Sequence, residues 1–260
     1  MGQTVDNNLS DRYLNSSQPD YTTPFANYFV KYVQAYNKLG ANIDAITIQN
    51  EPTYSTAGYP TMYMYDYEQG NLINYYVGPA LANAKLATSV WAYDCNTDLP
   101  SYPQTVLGQA SKYVNTVAWH CYAGSLDWSA MTTFQQNNPN VQQVMTECWT
   151  PPISGANDWF QAANFTMGPL QNWGTGAIAW TLGTDPKYGP HMSGGCPYCQ
   201  GLVTINSATS YTFNMAYYLM AQFSKYMPRG ATVLNGVGSS PSSNSPGVQF
   251  VSSVNPDKTK

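Results

Sequence analysis

Two glutamates in this sequence stand where a carboxylate can do chemistry. Glu51 follows the apolar run Ile43-Asp44-Ala45-Ile46-Thr47-Ile48 in the segment Gln49-Asn50-Glu51-Pro52, and Glu147 closes Val141-Gln142-Gln143-Val144-Met145-Thr146. The third glutamate of the chain, Glu68, has no such setting. A short apolar run bounded by turn signals reads as a strand buried on both faces, as in a parallel sheet. Pro52 cannot continue a ladder, which puts Glu51 at the carboxyl end of its strand. In a barrel of parallel strands that end is the mouth where catalytic groups gather. Two carboxyls ~5 Å apart at such a mouth suit retaining glycoside hydrolysis, one as acid/base and one as nucleophile. Carboxylates at these positions can also simply cap strands, and the residues alone leave both readings open.

The elements around the pair alternate. Thr23-Pro24 supplies an N-cap and a first-turn proline, Phe25, Tyr28, Phe29, Tyr32, Val33 and Tyr36 recur at helical spacing, and Gly40 closes that helix. After the strand to Glu51, helices are expected near 65–85, 104–114, 129–137 and 157–173. Strands are expected over 87–93, 116–122, 141–147 and 176–182. Strands alternating with helices predict βαβ units with right-handed crossovers. Five barrel-type strands are counted where a complete (β/α)8 barrel has eight, so three further strand–helix units are expected upstream of residue 1. Beyond Leu182 the rhythm changes. A Gly/Pro/Cys-rich loop over 183–200 leads to a short hairpin strand at Gly201–Ile205, a last helix over 211–227, and Ser/Gly-rich sequence with β-type pieces such as Val248–Val251. The fold class expected is α/β: a partial (β/α)8 TIM barrel over 1–228, followed by the beginning of a side β domain over 229–260.

Composition narrows the partners. Charged residues make up 9% of the 260, against about 25% in average soluble domains, and 22 tyrosines carry much of the polar surface. A net charge of −4 argues against nucleic acid or anionic membrane as a partner. No apolar run approaches the ~20 residues of a membrane span. The triplets Asn8-Leu9-Ser10, Asn15-Ser16-Ser17 and Asn164-Phe165-Thr166 have the form of glycosylation acceptors. Together with the low charge they point to an extracellular protein, whose signal peptide is not in this chain. A monomer is expected.

The sequence resembles glycoside hydrolase family 30 of clan A, which holds glucosylceramidases and microbial endo-β-1,6-glucanases. The segments that carry the likeness are Ile46–Pro52, Ala118-Trp119-His120-Cys121-Tyr122-Ala123-Gly124, Thr146-Glu147-Cys148, Ala179-Trp180-Thr181-Leu182, Gly189-Pro190-His191, Gly201–Ile205 and Gln222–Pro228. The resemblance implies that Glu51 is the acid/base and Glu147 the nucleophile. It implies further that Asn50 hydrogen-bonds the sugar 2-hydroxyl in the −1 subsite, that His120 and Tyr122 line that subsite, and that Trp180 stacks on the sugar ring. A buried Trp or Tyr with one satisfied polar atom is also an ordinary core residue. The chain departs from the family at Tyr93-Asp94-Cys95-Asn96, where members often carry His, and at Trp180-Thr181, where they have Trp-Asn. Both departures bear on specificity.

Five cysteines cannot all pair within one chain. Cys196-Pro197-Tyr198-Cys199 with His191 nearby lacks a second CxxC, so it reads as a loop disulfide in preference to a zinc site. Cys121 and Cys148, each following a site residue, are candidates for a second bridge, which leaves Cys95 odd. Glu68 falls in a helix and reads as solvated. No cofactor and no metal are implied. The reading is a retaining β-glycoside hydrolase acting on β-glucan or a β-glucoside, an endo-β-1,6-glucanase before a glucosylceramidase. The rival from another class is an inactive glycan-binding barrel fragment.

Overall fold

A computed structural model describes residues 21–56, 58–149, 152–153, 155–234 and 249–258. Five strands, β1 to β5, alternate with helices and pair in parallel, the arrangement of part of a (β/α)8 barrel. The chain divides into two compact units. The first holds residues up to 126 together with 136–142, and the second holds 127–135 and everything from 143 onward.

The first unit opens with α1, Thr22–Lys38. Its start differs from the expected Thr23 cap. Tyr21 is the N-cap residue, no side chain caps the first turn, and the Phe25 N–H donates to the Tyr21 carbonyl at 3.1 Å. Strand β1 covers only Ala45–Thr47, so the run to Glu51 leaves the ladder earlier than expected. It pairs in parallel with β2, Ser89–Asn96, which pairs in parallel with β3, Val114–His120. The expected helix over 65–85 is three pieces: α2, Asp66–Leu72; one π-helical turn, Ile73–Val77; and α3, Gly78–Asn83. Helix α4, Ser101–Ala110, starts three residues before its expected position. Ile46, Val90, Val117, Ala118 and Trp119 are buried in the sheet, and Ile73, Val77, Leu81, Val106 and Ala110 are buried in the helical layer. Gly78 lets the helical layer close down, since a Cβ there would fall 2.4 Å from the Tyr113 ring.

In the second unit α5, Ser129–Asn137, matches its expected span. Strand β4, Gln142–Cys148, and β5, Gly174–Ala179, pair in parallel, with Met145 opposite Ala177 and Cys148 opposite Ala179. Between them runs α6, Ala156–Gln171, which carries Pro169 near its end. Asn164 is half-buried on this helix and Thr166 is buried, an unfavourable setting for a glycan acceptor. The triplets at Asn8 and Asn15 lie outside the described residues. A short strand β6, Gly183–Thr184, pairs in parallel with β7, Val203–Ser207, and β7 makes a hairpin with β8, Ser210–Phe213. The last helix, α7, is Met215–Ser224; the hairpin takes the first residues of the span expected as helix. Strands β9, Thr232–Val233, and β10, Ser253–Val254, form an antiparallel pair. The expected piece at Val248–Val251 forms no strand over its described residues, and Val248 lies outside them. No helix among the described residues is long and apolar enough to cross a membrane.

Glu68 is not solvated. It is 3% exposed, and its Oε2 accepts the Tyr65 N–H at 2.8 Å, satisfying a donor at the start of α2. Burial pushes its carboxyl above the usual range, against the smaller opposing effect of that hydrogen bond. The folded state therefore favours the protonated form. That stabilisation is present below the unfolded pKa of about 4.3 and is lost as pH rises through the folded value. Glu68→Gln, uncharged at every pH, is expected to melt near the wild type at acidic pH and to gain on it steadily toward pH 8. Parallel melting curves across that range would disprove the shift. Glu68→Ala removes the cap and is expected to cost about 0.5–2 kcal/mol at every pH.

Candidate active site

In the first unit the candidate residues gather at the carboxyl end of β1, β2 and β3. Beyond Thr47, Ile48 is still buried, and the chain then turns sharply. Glu51 has φ 46, a left-handed conformation uncommon outside glycine. Two backbone bonds hold it there. Its N–H donates to the Asp94 carbonyl at 2.9 Å, and its own carbonyl accepts the Tyr54 N–H at 2.9 Å. Pro52 follows, and its carbonyl accepts the Met64 N–H at 2.8 Å, tying the end of the turn to the approach of α2.

The Glu51 side chain is 19% exposed, and its Oε1 lies 3.3 Å from Nδ1 of His120, the last residue of β3. His120 is fully buried. Its Nε2 lies 3.0 Å from Oδ1 of Asp94 on β2, and Oδ2 of Asp94 accepts the Thr47 hydroxyl at 2.6 Å. A line of hydrogen bonds thus runs from Thr47 on β1 through Asp94 and His120 to Glu51. Tyr93 and Asp94 have φ 77 and 70, at a register shift between Tyr93 and Cys95. Such conformations cost on the order of 1–3 kcal/mol each and collect at functional sites. The Tyr93 N–H, displaced from the ladder, donates to Gln69 Oε1 of α2 at 2.8 Å.

The other expected residues of this unit are close by. Asn50 is exposed, and its carbonyl accepts from Gln49 Nε2 at 2.9 Å. Tyr122 is half-buried with its ring edge-on to His120, centroids 5.9 Å apart, and its N–H donates to Asn96 Oδ1 at 2.9 Å. His120 is wholly enclosed, with the carboxylates of Glu51 and Asp94 at its two ring nitrogens. Asp94 was legible only as a departure in Tyr93-Asp94-Cys95-Asn96. The signal that would have raised it is an acidic residue inside a strand of a charge-poor chain.

In the second unit Glu147 is half-buried, one residue before the end of β4. Trp180 lies just beyond β5 with 50% exposure, and its N–H donates to the Cys148 carbonyl at 2.7 Å. That backbone bond places the main chain of Trp180 beside the strand end that carries Glu147. The Trp180–Thr181 peptide is cis. Cys196 and Cys199 form a disulfide as expected, and Tyr198 between them faces Trp149 with ring centroids 5.8 Å apart. Two grooves of this unit, of about 590 and 970 Å³, are lined by Phe223, Met227 and neighbours and by no acidic residue. Glu147 lines neither of them.

Cys121 and Cys148 are each disulfide-bonded, and Cys95 is the free cysteine among the described residues. Its Sγ sits 3.4 Å from the Thr53 hydroxyl, and burial pushes its thiol up from the ordinary range. The thiolate is the reactive form. Cys95 is therefore expected to ignore dithiobis(nitrobenzoate) in the native protein at pH 8 and to react once guanidinium is added. Fast native labelling at this position would contradict its burial.

Comparison with known proteins agrees with this geometry. Residues 5–227 match the glycosyl hydrolase family 30 TIM-barrel domain. The chain is 62% identical over 263 residues to an endo-1,6-β-D-glucanase of Aspergillus fumigatus, covering 100% of this chain and 53% of that protein. It is 60% identical over 260 residues to an endo-1,6-β-D-glucanase of Trichoderma harzianum, covering 100% of this chain and 52% of the relative. Among solved structures it is similar to an endo-β1,6-glucanase with TM-score 0.72 and 29% identity, over 83% of this chain and 53% of that one. The chain spans about half the length of the curated relatives it matches. On the match of its barrel residues, the chain belongs to glycosyl hydrolase family 30.

Proposed function

We propose that the protein is a retaining endo-β-1,6-glucanase. The observation that carries this is the identity of 60% or more, over the whole of this chain, to fungal proteins named for that activity. The geometry of the first unit supports it. Glu51 is partly open to solvent at the carboxyl end of parallel strands, with its inner oxygen held by His120. That placement suits a group which must reach a bound sugar and exchange a proton with it.

In the first step the Glu51 carboxyl gives its proton to the departing glycosidic oxygen while the Glu147 carboxylate bonds to the anomeric carbon. In the second, water attacks that carbon, Glu51 takes the proton of the water, and Glu147 leaves as a carboxylate. Two inversions return the β configuration. Asn50 binds the 2-hydroxyl, Tyr122 borders the ring in the −1 subsite, and Trp180 offers a flat face to the C–H side of the pyranose. Residues 1–228 belong to the catalytic barrel and 229–260 begin a β domain. The protein acts outside the cell, as a monomer, on a carbohydrate polymer.

A hydrolysis panel with the full-length protein tests the substrate: β-1,6-glucan, β-1,3-glucan, xylan and glucosylceramide. Rapid release of oligosaccharides from β-1,6-glucan alone, as β-anomers in the first NMR spectra, is the expected result. Preference for glucosylceramide, or α-anomers as first products, would overturn the reading, and so would no hydrolysis by folded protein.

The roles of the two glutamates separate by azide. Glu51→Ala should keep the first step with a dinitrophenyl glycoside, accumulate the glycosyl-enzyme, and turn over with added azide to the β-glycosyl azide. Glu147→Ala should yield the α-azide. The opposite stereochemistry would reverse the assignment.

A further inference from the structure

The hydrogen-bond line behind Glu51 fixes more than a position, because the partners at its inner end leave little choice of proton placement. Asp94 is 8% exposed, and its two oxygens face the Thr47 hydroxyl at 2.6 Å and His120 Nε2 at 3.0 Å. With the hydroxyl donating to Oδ2, Asp94 acts as a carboxylate, and a carboxylate only accepts. The hydrogen between Oδ1 and Nε2 therefore belongs to the imidazole. A neutral histidine carries one N–H, so a proton at Nε2 leaves Nδ1 bare. Nδ1 is the atom that faces Glu51 Oε1, at 3.3 Å.

We propose that Asp94 is a positioning residue for the acid/base group: it holds His120 in the Nε2-protonated tautomer, so that bare Nδ1 accepts the hydrogen bond of the Glu51 carboxyl. The proposal rests on the assignment of Glu51 as the acid/base. A bare ring nitrogen keeps a proton on Glu51: the O–H rests on Oε1 against Nδ1, and rotation of the carboxyl about its Cγ–Cδ bond carries it to the open side, where the leaving oxygen takes it. After donation the Nδ1 lone pair faces a carboxylate, and that repulsion favours return of a proton from water in the second step. One fixed imidazole thus serves both halves of the cycle without moving. The backbone tightens the same arrangement, since the carbonyl of Asp94 accepts the N–H of Glu51 at 2.9 Å. Asp94 holds the acid/base directly through its main chain and indirectly through His120. The left-handed Tyr93–Asp94 pair brings both groups to bear from one residue.

The test uses the full-length protein and three readouts. First, selectively ¹⁵N-labelled histidine, with the His120 signals assigned by their loss in His120→Ala, should show Nε2 protonated and Nδ1 with a pyridine-like shift. A protonated Nδ1 in the resting wild type would overturn the proposal without any variant at Asp94. Second, Asp94→Asn offers a side-chain N–H to Nε2 and lets the ring carry its proton at Nδ1, so the two ¹⁵N signatures should exchange. Third, Asp94→Asn should lower kcat on β-1,6-glucan roughly 10- to 100-fold, part of the 10²–10⁴ a positioned proton donor supplies, with KM little changed. The first step on a dinitrophenyl glycoside, which needs little protonation, should stay within about threefold. Equal losses on both substrates would reduce Asp94 to a scaffold residue and sink the proposal. Glu51→Gln is the control for the underlying reading, since it must show the same leaving-group dependence more strongly. If it does not, the acid/base assignment itself fails. If Glu51→Gln shows it and Asp94→Asn does not, only the role of Asp94 falls.

Discussion

Asp94 accepts one hydrogen bond from Thr47 and faces the ring nitrogen of His120, and so draws together three neighbouring strands at their carboxyl ends. Polar groups buried at this depth are costly unless every partner is in place, and a satisfied network is correspondingly rigid. The sheet supplies the partners by register. Ile46 pairs with Val90 and Asn96 with His120, which brings the ends of β1, β2 and β3 level enough for side chains to meet. The register shift at Tyr93–Cys95 supplies the remainder, turning Asp94 toward its neighbours while Gln69 takes up the displaced Tyr93 N–H. The strain of two left-handed residues is thus offset by bonds from a helix and from an adjoining strand.

Much of this architecture was legible in the residues. Helical spacing and short apolar runs between turn signals located the alternating helices and strands, and α5 fell on its expected residues. Gly and Pro punctuated the turns. The position of Glu51 after an apolar run was legible because proline ends a ladder for a local reason. Boundaries drifted where tertiary contacts decide. The hairpin β7–β8 claimed residues that propensity gave to α7, and the long helix after Tyr65 broke at a π turn that periodicity does not register.

The inner part of the site was not legible, for a different reason. Asp94 and His120 are 26 residues apart, and Glu51 and His120 are 69 apart. Spacing along the chain says nothing of such pairs. Alternation along β3 would have put His120 on one face of a strand, but in a sheet covered on both faces either side is buried. Whether the ring meets a sugar or a carboxylate then depends on which neighbour reaches it. Glu68 misled in the same way. A glutamate inside a helix reads as solvated, yet Glu68 is buried and its carboxylate caps the start of that helix.

The two glutamates of the first unit show how one fold can use the same side chain for opposite ends. Glu68 is 3% exposed and serves the backbone, and burial favours its neutral form. Glu51 is 19% exposed and backed by His120 on its inner oxygen. In the proposed acid/base role, a carboxyl that gives and takes a proton needs one side open to the substrate and the other held by a partner that does not drift. Full burial would close the first side, and full exposure would surrender the second to water, which reorients freely. A left-handed turn at the end of a short strand meets both demands. It lifts the carboxyl out of the ladder while the Asp94 carbonyl keeps its main chain pinned. The early end of β1 at Thr47 is what leaves room for that turn.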